Sequence, residues 1–164
     1  MTSRLATDTG RQRVYDAEQA LRVLLDNAAA APVVEVLGSH LALTPDRRFG
    51  CIDSVQRYLD SVLALNWVRA AWPQRAALPV RVRWRAGQQK AHYETATATV
   101  ALPPHAGAGA WALRELVVLH ELAHHLAPAT ADQGHHGTKF RDCFATMVEE
   151  IIGPEAALIL RAHW

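Results

Sequence analysis

Residues 120–124 read HELAH, inside an apolar stretch that is predicted to be helical from about Trp111 to Ala127. Residues four apart stack on one face of an α-helix, so the imidazoles of His120 and His124 can bind one metal ion. Glu121 follows the first histidine directly, and its carboxylate can reach a water on that metal. The spacing predicts a zinc centre with two imidazoles, a third protein ligand and one position open to water.

The predicted helix is apolar nearly all round, which is typical of a buried helix. Its apolar residues are Leu113, Leu116, Val117, Val118, Leu119, Leu122, Ala123 and Leu126. Titratable groups inside such a helix are costly unless they are paired or bind a metal. The alternative interpretation is a surface helix that happens to carry His and Glu, and the apolar surroundings favour the metal site over it.

The third ligand is expected shortly after this helix. Pro128 forbids continuation of the helix, and five of the nine histidines lie between residues 120 and 136. Another helix is predicted to begin near Thr138, a plausible N-cap residue. A histidine just before that helix, either His135 or His136, would be held rigidly enough to complete the site.

The segment from 134 to 140 reads GHHGTKF. HExxH followed by a loop and then HGxxF resembles the SprT-like zinc metalloproteases. That resemblance implies that His120 and His124 are the helix ligands, Glu121 the catalytic base and His136 the third ligand of one zinc ion.

A second resemblance spans almost the whole chain. The stretches RVYDAE (13–18), RFGCIDSVQRY (48–58) and HELAHH (120–125) resemble a family of small actinobacterial HExxH metallohydrolases. This resemblance implies a zincin-type fold and a hydrolytic activity, without a particular substrate.

Other third ligands stay open at this point. His135 is adjacent to His136 and could replace it. Glu149 and Glu150 lie on the following predicted helix, where the gluzincin pattern takes its glutamate. The metzincin pattern requires a histidine at position 130, which is Thr130, and is therefore excluded.

A hydrolase of this type needs a donor besides the metal to stabilise the oxyanion. The candidates are Tyr93, His92, His105 and His135, and none is singled out by the sequence. His125 points away from the face that its two neighbouring histidines share. It is expected to pack, to cap the helix or to make a hydrogen bond behind the metal ligands.

Composition indicates an ordinary globular protein. In 164 residues, 50% are apolar and 20% are charged, and the net charge of +1 gives no overall attraction to nucleic acid. We expect a flexible N-terminal arm over residues 1–11 and a single domain over 12–164. Two cysteines without a CxxC pair, a polar N-terminus and the absence of a long apolar run predict a reduced cytoplasmic protein without a membrane span.

The predicted fold class is α+β, a zincin-like domain with a small mixed or antiparallel sheet packed on helices that include the HExxH helix. The predicted elements are helices over Arg13–Asn27, Val55–Ala71, Thr138–Ile151 and Glu155–Ala162, and strands over Val33–Leu37, His40–Leu43, Val80–Arg85, Ala91–Glu94 and Thr95–Leu102. By its position before the metal helix, Thr95–Leu102 is expected to be the sheet edge to which a substrate backbone adds.

The sequence thus predicts a zinc-dependent hydrolase of peptides, with Glu121 as general base. Two alternatives are a zinc hydrolase of a non-protein substrate and a non-catalytic zinc module that binds a partner. A fourth protein ligand would close the site to water and favour the module. Substrate, oligomeric state and physiological role are not specified by the sequence.

Overall fold

The computed structural model describes residues 8–87, 90–103 and 111–164, and its class is mixed α+β, as predicted. The elements in chain order are α1 (Arg11–Asn27), β1 (Val33–Val36), β2 (Ser39–Ala42), α2 (Ile52–Leu63), α3 (Asn66–Ala71), α4 (Pro73–Ala76), β3 (Arg81–Trp84), β4 (His92–Glu94), β5 (Thr99–Leu102), α5 (Glu115–Leu126), α6 (Thr138–Ile151) and α7 (Pro154–Arg161).

These residues form two compact units. The first unit contains the described residues up to Asp46 together with Ala129–Trp164, and the second contains Arg47–Pro128. This division does not test the prediction of one domain over residues 12–164, which stays a prediction.

The first unit is built around α7, which packs against both α1 and α6. Helix α1 buries one stripe of residues at helical spacing, as its sequence predicted. That stripe is Val14, Ala17, Leu21 and Leu25. Gly153 follows α6 with φ of 151°, a backbone conformation that glycine adopts more readily than other residues. Pro154 then occupies the first turn of α7, where the N–H that proline lacks would have no partner within the helix.

The N-terminal boundary differs from the predicted one. Helix α1 begins at Arg11, and Asp8 is hydrogen-bonded to His136. The predicted domain start at residue 12 thus lies one residue after the start of α1, and the flexibility of residues 1–11 stays a prediction. Residues 1–7 lie outside the described residues.

Strands β1 and β2 form an antiparallel hairpin in which Val36 pairs with Ser39. The two residues between them, Leu37 and Gly38, both have positive φ, of 50° and 79°. This backbone suits a tight hairpin turn, but a leucine rarely adopts it. Leu37 is also 86% exposed, so its side chain gains almost nothing from packing to offset the strain.

The second unit contains a three-stranded sheet in the order β3-β5-β4. Strand β5 is parallel to β3 and antiparallel to β4, and all four of its residues are buried. The prediction that Thr95–Leu102 forms the sheet edge is therefore wrong, because β5 is paired on both sides. In the described part of the chain, the edges of this sheet are β3 and β4.

The predicted continuous strand over Thr95–Leu102 is also interrupted. Thr95–Ala98 forms a turn that folds β4 back onto β5, and Ala98 adopts a positive φ of 48°. The hydroxyl of Thr97 donates to the Glu94 carboxylate at 3.1 Å, which ties the turn to the end of β4. With neither Gly nor Asn in this turn, the sequence gives no local signal for it.

The predicted helix over Val55–Ala71 is two helices, α2 and α3, because Leu65 adopts an extended backbone. A straight continuation would place Asn66 on the face that Val62 buries, one turn earlier. The break instead leaves Asn66 exposed and turns Val68 inward, where it is fully buried. Burial of an apolar side chain in place of an amide accounts for the break.

The start of α5 is fixed by residues 47–58, the segment that contributes RFGCIDSVQRY. Glu115, in the first turn of α5, accepts a hydrogen bond from the backbone N–H of Arg47 at 3.0 Å and from the Tyr58 hydroxyl at 2.7 Å. The backbone N–H of Phe49 donates to the carbonyl of Leu113 at 2.8 Å. Helix α5 then packs on α4, β4 and β5.

No helix within the described ranges is long and apolar enough to span a membrane. Cys51 is exposed and Cys143 is buried, and both are free thiols. Burial raises the pKa of the Cys143 thiol well above its ordinary value.

The hairpin turn gives a direct test of the observed backbone. Leu37→Asn should increase the free energy of unfolding by about 0.5–1 kcal/mol, because Asn tolerates a positive φ and Asn-Gly is a favoured pair in such turns. Urea denaturation measures the change. Val33→Asn is the matched control: it also replaces an exposed apolar residue of the hairpin, at an ordinary strand position, and should bring no gain. An unchanged or lower stability for Leu37→Asn would contradict the positive φ at Leu37.

Candidate metal centre

Helix α5 brings His120, Glu121 and His124 into the interior of the protein. His120 is 2% exposed and Glu121 is 5% exposed, while His124 is half-buried. The rings of the two histidines meet edge to face, with centroids 5.0 Å apart and 68° between the ring planes. Their proximity agrees with the spacing of four residues on a helix. The alternative of a surface helix is excluded, because every α5 residue except His124 is buried.

His136 lies just before α6 and is held by groups from the N-terminal segment. Its ring nitrogen Nδ1 lies 2.6 Å from Asp8 Oδ2, and its backbone N–H donates to Asp8 Oδ1 at 3.2 Å. The ring of Phe140 contacts it edge-on at 4.9 Å, and the ring of Tyr15 lies 5.5 Å away. Gly10 passes so close that an added Cβ would come within 2.3 Å of the His136 carbonyl oxygen. His136 is therefore tightly positioned although it lies in a loop.

His120, His124 and His136 form a group that could hold a metal ion. Each offers one ring nitrogen, and these three nitrogens all lie within 4.8 Å of one another. A metal 2.0–2.1 Å from each of three imidazoles requires donor atoms about 3–4 Å apart, so a small adjustment of the side chains would complete the coordination. The donor set fits a transition metal, and imidazoles suit zinc, copper, iron and nickel alike.

The competing third ligands are placed elsewhere. His135 is exposed and is not a member of the histidine group, unlike its buried neighbour His136. Glu149 on α6 forms an ion pair with Arg161 on α7 at 2.5 Å, and Glu150 is exposed. Neither glutamate is in the group. Among the described residues, the group thus consists of three histidines and no fourth member.

His125 belongs to a buried network with Tyr93 and Arg75. Its Nε2–H donates to the Arg75 carbonyl at 2.8 Å, and its Nδ1 lies 2.8 Å from the Tyr93 hydroxyl. Arg75 in turn donates through Nε to the His125 carbonyl at 2.7 Å, near the C-terminal end of α5. Burial lowers the pKa of His125 and raises the pKa of Tyr93, so both stay neutral and the Tyr93 hydroxyl donates to Nδ1. Of the roles expected for His125, the structure shows packing in the interior, with hydrogen bonds to Tyr93 and Arg75.

The hydrogen bonds of this network involve Tyr93, one of the four residues considered as donors to the oxyanion. The Tyr93 hydroxyl is engaged by His125 and also accepts from Arg75 at 3.2 Å. His92 and His135 are exposed, and His105 lies outside the described residues together with the rest of 104–110. The sequence identified these four by residue type alone, and the structure gives Tyr93 a packing role.

Two contributors to the site were missed by sequence reasoning. Asp8 is 128 positions from His136, and nothing in its local sequence indicates the contact. Glu115 could have been found, because a carboxylate in the first turn of an apolar helix is expected to be paired or to cap it. Asp8 acts on His136 from a segment remote in sequence, and Glu115 is held at the start of α5 by Arg47 and Tyr58, which are remote from it in sequence.

Comparison with protein-family models, with curated proteins and with solved structures gave no match to this chain. The resemblances to SprT-like metalloproteases and to small actinobacterial metallohydrolases therefore stay predictions from the sequence motifs, as does the zincin-type fold.

The packing role of Tyr93 can be tested by removal of its hydroxyl. Tyr93→Phe should lower the free energy of unfolding by about 1–3 kcal/mol, because it deprives the buried His125 ring of a donor. Metal content should stay unchanged. His92→Ala, an exposed neighbour on the same strand, is the control and should affect neither quantity. Unchanged stability of Tyr93→Phe in urea denaturation, together with loss of turnover, would instead place Tyr93 on the reacting substrate.

Proposed function

We propose that this protein is a zinc-dependent metallohydrolase of the zincin type, and that peptides are its substrate class. The observation that carries the proposal is the convergence of His120, His124 and His136, with the buried carboxylate of Glu121 directly after the first of them. This is the set of residues that the resemblance to SprT-like metalloproteases implies. Three imidazoles leave a tetrahedral ion one position for water or substrate.

Zinc is proposed over the other ions that suit imidazole. It is the usual metal of HExxH helices, where two histidines one turn apart and a third ligand hold it. A bound zinc ion would polarise the substrate carbonyl and lower the pKa of a coordinated water. His120 and His136 lie almost out of solvent, and His124 is the member of the group that solvent reaches most. This difference in exposure supports a site that water reaches from the side of His124.

The proposed role of Glu121 is to carry one proton. Its carboxylate takes a proton from the attacking water as the oxygen forms a bond to the carbonyl carbon. The same carboxyl then delivers that proton to the leaving nitrogen as the C–N bond breaks.

Peptides are favoured because a sheet edge lies next to the metal helix. Strand β4 pairs only with β5 in the described part of the chain, and it contacts α5. An extended peptide could add to this edge by backbone hydrogen bonds. We thus propose that the substrate backbone adds to the edge formed by His92–Glu94, and not to Thr95–Leu102 as the sequence predicted.

The metal centre is tested by removal of the third ligand. His136→Ala should reduce zinc content from near one ion per chain to a small fraction. The loss in affinity should exceed the roughly 10–100-fold that follows loss of an outer partner of a metal ligand. Metal analysis after dialysis against a weak chelator measures it. The matched control is the adjacent His135→Ala, which should keep its zinc because His135 is exposed and outside the group.

Circular dichroism should show that both variants are folded. Loss of zinc in His135→Ala with retention in His136→Ala would make His135, and not His136, the third ligand. A parent protein that takes up no zinc would remove the metal centre and the enzyme with it.

The proposed base is tested in the zinc-loaded protein. Glu121→Gln should keep its zinc and lose about 10²–10⁴-fold in kcat, because the amide has nearly the same shape and cannot accept the proton. Turnover of casein and of a fluorogenic peptide pool by the parent and by the variant measures the effect. Equal turnover by both proteins would eliminate Glu121 as the base.

The alternatives make different predictions in the same assays. A hydrolase of a non-protein substrate would bind zinc and leave casein and peptides intact while cleaving small amides or esters, with the same dependence on Glu121. A non-catalytic partner-binding module would hold zinc in a closed site and cleave nothing.

A further inference from the structure

Asp8 makes a two-point contact with His136 that the proposed mechanism does not use. One carboxylate oxygen lies 2.6 Å from ring Nδ1, and the other accepts the backbone N–H of the same residue at 3.2 Å. The Asp8 side chain is 23% exposed and that of His136 is 6% exposed, so the pair is shielded from water on the histidine side. Such shielding strengthens a hydrogen bond to a carboxylate.

This contact determines which ring nitrogen of His136 can bind a metal. A carboxylate only accepts hydrogen bonds, so Nδ1 must carry the proton. The nitrogen that retains a lone pair is then Nε2. Asp8 therefore selects the tautomer in which His136 offers Nε2 as a ligand, and it also limits rotation of the ring.

The backbone contact adds a second constraint. Asp8 Oδ1 holds the main chain at His136, and Gly10 packs against the carbonyl of that residue with no room for a side chain. The ring of Phe140 limits the imidazole further. The N-terminal segment thus fixes both the backbone and the ring of a residue that lies in a loop, where positions are otherwise less well defined.

We propose that Asp8 is a positioning residue for the metal centre, which orients His136 and sets its tautomer so that Nε2 faces the ion. This inference rests on the proposed function only in that it requires a metal at the three histidines. Carboxylates that accept the second ring N–H of a metal-bound histidine raise its basicity, and their loss commonly costs 10–100-fold in metal affinity. Asp8 is not a member of the metal-binding group itself.

The test variant is Asp8→Asn. An asparagine has nearly the same shape, but one of the two carboxylate oxygens that contact the ring and the backbone of His136 becomes an NH2 group, which only donates. The matched control is Asp16→Asn, which removes a carboxylate from the exposed side of α1, where Asp16 accepts from Gln12 at 2.8 Å. Competition with a chromophoric chelator gives the zinc affinity of each protein. We expect Asp8→Asn to bind zinc about 10–100-fold more weakly than the parent, and Asp16→Asn to match the parent.

A second measurement needs neither metal nor activity. Long-range ¹H–¹⁵N correlation spectra of the metal-free protein at mildly alkaline pH distinguish the two histidine tautomers. The parent should show the His136 proton on Nδ1, and Asp8→Asn should shift the population toward Nε2–H. A general loss of folding would not move this equilibrium at one ring alone.

The outcomes separate the inference from the proposed function. Equal zinc affinities of parent and Asp8→Asn, or an Nε2–H tautomer in the parent, would overturn the role of Asp8 and leave a hydrolase intact. Weaker zinc binding by Asp8→Asn with no hydrolysis of any substrate by the parent would support the role and overturn the hydrolase. A parent that binds no zinc would overturn both.

Discussion

A carboxylate and an imidazole inside a buried helix need compensation for the hydration that they lose, and this constraint organises the structure around α5. His120 and Glu121 are almost fully buried in a helix of which the remaining residues are apolar, apart from Glu115 and the other two histidines. Polar groups are retained at such positions only if hydrogen bonds, ion pairs or a metal stabilise them. A metal shared by three histidines would compensate for several of these groups at once.

The other polar residues of the helix are compensated individually. Glu115 accepts from the Arg47 backbone and from Tyr58, so its charge is stabilised where α5 begins. His125 is held neutral by burial and is hydrogen-bonded at both ring nitrogens. These contacts lie at the two ends of α5 and on faces other than the one that carries His120 and His124. They fix both ends of the helix that carries His120 and His124.

The sequence predicts those parts of the structure that depend on residues close together in the chain, and it misses those that depend on residues far apart. The helix at 120–124 and the contact between its two histidine rings follow from local periodicity, and the structure has both. The break at Leu65 and the turn at Thr95–Ala98 do not follow from it, because burial of Val68 and pairing of β4 with β5 decide them. Propensity and spacing describe neighbours along the chain, and tertiary packing overrides them at such points.

The third ligand shows the same limit. The cluster of histidines and the HGxxF pattern singled out His136, but the choice between it and His135 rested on a resemblance. In the structure the difference is physical, since His136 is buried against Phe140 and hydrogen-bonded to Asp8, whereas His135 is exposed. No spacing rule relates Asp8 to a residue 128 positions away. A sequence can therefore indicate which residue types bind a metal more readily than it can indicate what holds them in place.

The position of β4 connects the ligand helix with the proposed substrate edge. Side chains alternate along a strand, so when Tyr93 points inward, His92 and Glu94 point the other way. The hydrogen bond from Tyr93 to His125 joins β4 to α5 one residue away from His124, a candidate metal ligand. A peptide added to β4, as proposed, would be held in a fixed position along the same helix by its backbone hydrogen bonds to β4. If the proposed peptide binding holds, the network at His125 would help to align the scissile carbonyl with the histidines without contact to the substrate, because it fixes the strand to which the peptide adds.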